Sequence, residues 1–299
     1  ADTISLMDSG RITTATQGAG NGGNIEIGKA GELTVSGDQS GIYASSESGV
    51  ETSGNAGGVI LRNVMNIALM DGGRISTATK GGGFGGNIDI EETVELDISG
   101  DKAGIYASSE RTEVNAGDAG HVTIHESKRI TLFDDGQIST AAENAGGGII
   151  DITVGDMLYL LNSRITTSVQ FGGKEDNGGD ITIKEPRFVI LNHSEIIARA
   201  YEGKGGNILI VAGQFLKSAD SIVDASSKLG IDGNIEIVSP EADLSKVLTV
   251  LPTNYLDAAQ WMETPCEARS GEAVSRFVIT GRDGAPPPCD GVLGAPVLP

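Results

Sequence analysis

The stretch Gly41-Ile42-Tyr43-Ala44-Ser45-Ser46-Glu47 returns unchanged, 63 residues later, as Gly104-Ile105-Tyr106-Ala107-Ser108-Ser109-Glu110. It is the clearest part of a longer repetition. Residues 1 to 63 align with residues 64 to 126 without a gap, and 33 of the 63 positions are identical. Self-similarity at a fixed period is the signature of stacked coils. A shorter signal recurs within each unit, a Gly-Gly-Asn-like turn followed by a strand. Its first residue of buried type falls at Ile25, Val59, Ile88, Val122, Ile150, Ile181, Ile208 and Ile235. The successive spacings are 34, 29, 34, 28, 31, 27 and 27, each about one solenoid turn, so the motifs predict eight to nine coils.

The coils are made of strands. In Asn24-Ile25-Glu26-Ile27, Asn87-Ile88-Asp89-Ile90 and Asn234-Ile235-Glu236-Ile237, apolar and polar residues alternate at every position, the period of a half-buried strand. A second run follows, such as Glu32-Leu33-Thr34-Val35-Ser36, and then a third, such as Ile42-Tyr43-Ala44-Ser45, which predicts three short strands per coil. Composition agrees, because 31 Ile and 19 Val against 19 Leu favour β packing. The 44 Gly are expected to supply positive-φ corners. At about 4.8 Å per coil the residues up to 239 would make a rod roughly 40 Å long. Asn24, Asn87, Asn207 and Asn234, with Asp180 as a variant, are expected to stack at one corner as a structural ladder of left-handed residues, interrupted by Gly58, His121 and Ile149.

Bulk properties narrow the partners. With 38% hydrophobic residues the chain can bury a long core, and 4% aromatics suits a lumen too narrow for rings. A formal charge of −20 argues against nucleic acid, whose phosphates are bound by Lys and Arg. No stretch approaches 18 apolar residues, so no transmembrane helix is expected. Ala1 falls inside a coil, as expected of the carboxyl-terminal part of a longer protein.

Residues 240 to 299 differ in kind. Pro240 closes the periodic region, and Thr253 to Met262 is an amphipathic helix candidate placed to cover the end of the rod, with Asn254 or Thr253 as its cap. The two cysteines, Cys266 and Cys289, lie close together in this cap module. They read as one disulfide formed in an oxidising compartment, with a reduced structural pair as the alternative.

The Gly-Gly-Asn-Ile-Glu-Ile and Ile-Tyr-Ala-Ser-Ser strands, the segment Ser226 to Ile237, and the terminal segment from Cys266 through Ser275-Arg276-Phe277-Val278-Ile279-Thr280-Gly281-Arg282-Asp283-Gly284 to Pro288 resemble the end of filamentous haemagglutinin-like exoproteins. The resemblance covers nearly the whole chain, and the Cys266 to Pro288 segment is its more specific part. It implies a right-handed parallel β-helix, export by an outer-membrane two-partner transporter, and an adhesin-like role, secreted or at the outer surface of a Gram-negative bacterium. The family's amino-terminal secretion domain, with its Asn-Pro-Asn-Gly type motif, is not among these residues.

Several motif matches dissolve on inspection. Gly18-Ala19-Gly20-Asn21-Gly22-Gly23 fits the dinucleotide glycine pattern but opens into a strand, which offers no helix terminus to a phosphate. Gly82 to Ile90 approaches a calcium-binding nonapeptide, yet Asn87 replaces the ligand aspartate and no tandem copy follows. His121 and His125 would lie about 13 Å apart along a strand, too far for one metal. His193 stands alone in the sequence. No cofactor, metal or catalytic residue is therefore expected.

The enzyme alternative, a β-helical polysaccharide lyase or hydrolase, would use Asp8, Asp71 and Asp134. These recur every 63 residues, about 9.6 Å apart if coils stack at 4.8 Å. Each precedes a corner glycine, where Asp is a favoured turn residue, so the recurrence reads as structural. A binding alternative has a sharper feature. If Ile42 and Ala44 point inward, Tyr43 points outward with Glu47, as do Tyr106 and Glu110 two coils away, and such a group can contact a glycan. The expected ligands are surface glycans or receptors on host or neighbouring cells. A spacer rod with no ligand is the third reading.

Overall fold

The computed structural model describes residues 2 to 240. They form an all-β parallel solenoid of about eight turns, with every paired strand parallel to its neighbour one turn away. The module expected from 240 to 299, with its helix candidate and with Cys266 and Cys289, lies outside the described residues apart from Pro240.

Each complete turn contains the three predicted strand segments, but the first two share one sheet. In four turns they run together, as Ile25–Ser36, Val59–Met70, Val122–Phe133 and Ile150–Leu161. Elsewhere they separate, as in Ile88–Glu91 and Glu95–Ser99. Together they build a twelve-stranded sheet. The third segments, from Arg11–Thr13 through Gly41–Tyr43 to Ile222–Asp224, stack as an eight-stranded sheet.

The eight residues that mark the repeat occupy one column, Ile25, Val59, Ile88, Val122, Ile150, Ile181, Ile208 and Ile235, each paired with the next. A second column runs Ile12, Ile42, Ile75, Ile105, Ile138, Ile165, Ile196 on the other sheet. Between them lies a continuous core in which every fully buried hydrophobic side chain is aliphatic. A thin lumen filled by β-branched residues is what the composition implies.

The glycines act differently from the expectation. Among the described residues only Gly37, Gly72 and Gly100 are glycines with positive φ, whereas fifteen non-glycine residues have it. Lys29, Asn63, Glu92, Glu126 and Glu185 take that conformation at the bend between the first and second segments. The glycines instead permit contact. Gly23, Gly57, Gly86, Gly120, Gly148, Gly179, Gly206 and Gly233 form a column two residues ahead of the Ile/Val column. A Cβ on Gly148 would stand 1.7 Å from the carbonyl oxygen of Gly120, and one on Gly179 would stand 1.6 Å from that of Gly148. Main chain meets main chain there, with no flexible side chain to move aside.

Two substitutions test these features. Ile88, fully buried, should not accept a charge, and Ile88→Asp is expected to cost roughly 4 kcal/mol, read as a fall in melting temperature of about 10 °C. An unchanged melting temperature would contradict the described lumen. Gly148→Ala is expected to lose about 3 kcal/mol or more, the upper range for overpacking. Gly18→Ala, whose Cβ would meet nothing within 4 Å, should stay within about 0.5 kcal/mol of the parent.

Candidate functional site

The outward face of the eight-stranded sheet carries the tyrosines. Along its first column stand Arg11, Gly41, Arg74, Gly104 and Gln137, and along its second Thr13, Tyr43, Ser76, Tyr106 and Ser139. Beyond the bridges that join Ser46 to Thr79 and Thr79 to Ser109, the row Glu47, Lys80, Glu110 continues the same turns. Between these rows the floor holds Ser76 and Ala78, both buried, and the neighbouring Ser45 Oγ and Ser108 Oγ donate to the carbonyl oxygens of Ser76 and Ser139.

Ile42, Ala44, Ile105 and Ala107 are fully buried, and Tyr43 and Tyr106 face outward between them. Neither ring is fully exposed. A Cβ on Gly41 would lie 2.7 Å from Tyr43 Cε2, and one on Gly104 would lie 2.9 Å from Tyr106 Cε2. Each ring thus fills the space above the glycine of its own strand, a structural task the sequence did not disclose. The Arg11 guanidinium lies 5.5 Å from the Tyr43 ring centroid and that of Arg74 lies 5.6 Å from the Tyr106 centroid, within cation–π range. Burial pushes the Tyr106 hydroxyl up to about 12 and raises that of Tyr43, against the pull of Arg74 and Arg11.

The opposite row alternates in charge. Lys80 Nζ lies 2.5 Å from Glu47 Oε2, and this hydrogen bond raises the lysine above its ordinary range. Glu110 reaches solvent but sits among crowded groove atoms, which hold its carboxyl above the ordinary range. Lys80 pulls it down, whereas Glu47 and Glu143 push it up. Two open cavities lie end to end on this face, of about 490 and 330 Å³, and share Tyr43, Glu47, Arg74 and Lys80. The structure therefore brings Tyr43, Glu47, Tyr106 and Glu110 to one trough.

The remaining residues singled out by the sequence have structural surroundings. Gly58 N–H donates to Asn24 Oδ1 (2.8 Å), His121 N–H to Asn87 Oδ1 (3.1 Å), and Asn207 N–H to Asp180 Oδ1 (2.7 Å). His121 does not interrupt the ladder, because its Nδ1 accepts from Ile149 N–H (3.0 Å). Asn207 Nδ2 also donates to Asp180, and the Asn234 carbonyl accepts from Ile208 N–H. The left-handed residues lie at other corners, so the ladder rests on side-chain acceptors alone. A second ladder lies three residues earlier, where Asn21 Oδ1 accepts from Asn55 N–H and Asn55 Oδ1 from Phe84 N–H, both at 2.9 Å. The sequence reading missed it, and its signal is the Asn two residues before Gly23, Gly57 and Gly179.

Asp8, Asp71 and Asp134 have φ of 52°, 51° and 45°, and their successors Ser9, Gly72 and Asp135 are also left-handed. Gly10, Gly73 and Gly136 N–H donate back to Met7, Met70 and Phe133 oxygens. Two left-handed central residues closed by that bond are the pattern of a type I′ turn, which accounts for the recurrence of Asp. His193 is not alone, since its Nε2 lies 3.2 Å from Asp220 Oδ2 and its Nδ1 2.7 Å from Asn192 Oδ1. Among the described residues no group of three or more His, Cys, Asp or Glu is placed to hold a metal ion.

The raised Glu110 carboxyl has a testable sign. Its ionised form is less favourable folded than unfolded, so it lowers stability as pH rises from the ordinary carboxylate range through the raised value. Glu110→Gln should be the more stable protein at pH 7, by less than about 1 kcal/mol because the side chain reaches solvent. The difference should close below about pH 4. Thermal melts of both proteins against pH check this, and a variant less stable at pH 7 would contradict it.

Comparison of the chain with known protein families, with curated proteins and with solved structures finds no match.

Proposed function

We propose that this chain is the β-helical rod of a secreted or surface-displayed adhesin-like exoprotein of the filamentous haemagglutinin type, and that its trough contacts glycans. The observation that supports this most is the pairing of an uninterrupted solenoid with an open polar trough in which Tyr43, Glu47, Tyr106 and Glu110 converge. Sugar recognition needs an apolar surface for the C–H face of a ring and charged or amide groups for its hydroxyls. The Arg–Tyr wall supplies the first and the carboxylate row the second. The export route, through an outer-membrane two-partner transporter of a Gram-negative cell, rests on the resemblance of the repeat strands and the terminal segment.

A cleavage reading has one observation in its favour. Glu110 carries a carboxyl held above its ordinary range with Glu47 and Glu143 close enough to influence it, a setting that also suits a general acid. Release of reducing or unsaturated sugar ends from a bound polysaccharide would promote that reading.

Glycan-array binding of the full 299-residue chain tests the proposal. The expected result is a set of bound glycans whose signal is lost in a Glu47→Ala/Glu110→Ala variant of unchanged melting temperature. Absence of any bound glycan would leave the spacer reading in its place.

A further inference from the structure

The trough repeats with the sequence. Tyr43 with Glu47 and Tyr106 with Glu110 are the same group placed twice, two turns apart along the axis. At about 4.8 Å per strand that separation is roughly 9.6 Å. Each group is preceded, one turn earlier, by the same arginine, Arg11 or Arg74, at the same column. A ligand that satisfies both groups at once must itself repeat at this distance and run straight along the stack. In an extended β-linked polysaccharide successive rings are flipped, so the chemical repeat is a disaccharide of about this length. An α-linked chain coils and loses step with the turns.

Charge separates uncharged from acidic polymers. The two cavities are lined by four cationic and four carboxylate side chains, a neutral strip on a chain of formal charge −20. Lys80 is already paired with Glu47, and Arg11 donates through Nε and Nη2 to Gln39. A polyanion would find no net positive charge here and would be repelled by the rest of the chain. Carboxylates that accept and guanidinium groups that donate, alternating along the walls, suit sugar hydroxyls.

We propose that the trough takes an extended, uncharged, β-linked glycan lying parallel to the solenoid axis, with one disaccharide unit for every two turns. This deepens the glycan reading above and depends on it. Ala15, Ser76 and Ala78 form the floor on which the sugar rings lie, and Arg74, between the two tyrosines, is a wall residue common to both cavities. The glycan would span both cavities, so affinity should grow with length until the chain covers two groups.

Calorimetry with four defined probes tests this, namely cellohexaose, chitohexaose, maltohexaose and a heparin hexasaccharide. The two β-linked neutral chains should bind, more tightly than their disaccharides by at least about tenfold, and the other two should not. Ala78→Arg fills the floor and Arg74→Ala removes the shared wall residue. Each should weaken cellohexaose or chitohexaose binding at least about tenfold. The second variant leaves the floor untouched and keeps the test valid if the first does not fold. Binding of maltohexaose or the heparin fragment alone, or of the β-linked chains without length dependence or sensitivity to both variants, would overturn the axial proposal and leave glycan binding standing. Binding of none of the four would overturn the proposal, and an empty glycan array would then remove the broader reading as well.

Discussion

Close approach of main chain to main chain at the glycine column sets the geometry of every turn. From Gly57 to Gly233 each glycine lies against the carbonyl of the one before it, at distances that exclude even a methyl group. Two residues later the chain enters the Ile/Val column, so the contact fixes where each strand starts relative to the strand below. Turn length can then vary between 27 and 34 residues without loss of register. The extra residues are absorbed elsewhere, as in the loops around Glu51 and Asn115, which bond to each other across the shorter loop of the intervening turn. A parallel stack lacks hairpins to set its register, and here a column without side chains does that work.

Fixed register has an electrostatic consequence. Residues at one position form a row spaced by a single strand separation, so equal charges in successive turns repel. The outer faces answer by alternation. Arg62 lies between Glu26 and Glu91, at 2.5 and 3.0 Å, and Lys80 lies between Glu47 and Glu110. Such exposed pairs add little each, about 0–1 kcal/mol, but they prevent a row of like charges. Alternation lapses at Glu110 followed by Glu143, and there burial, with small additions from Glu47 and Glu143, holds the Glu110 carboxyl above its ordinary range.

Much of the fold was legible because periodicity and register are linked. The residues from Ile25 to Ile235 that mark the repeat are the ones that stack, and the three alternating runs become three strand segments. The role of glycine was not legible, since composition shows glycine without showing whether it serves φ or proximity. Lys29 and Glu92 hold left-handed bends that no propensity scale favours, because the stacked strands on either side dictate the direction of the chain. The trough was half legible. Alternation around Tyr43 shows which way the ring faces, whereas its place over Gly41 and beside Arg11 requires knowledge of which residues are neighbours across turns.

The 63-residue duplication leaves each residue in the column of its copy, with Tyr43 two turns from Tyr106 and Gly57 two turns from Gly120. Gain or loss of one whole block by recombination between the copies would therefore keep the stacked columns and shift no register. Loss of a single residue inside a strand would turn that strand's buried side chains to the surface. The genetic change most easily tolerated is thus a change of rod length in steps of two turns, with the surface chemistry copied intact at every step.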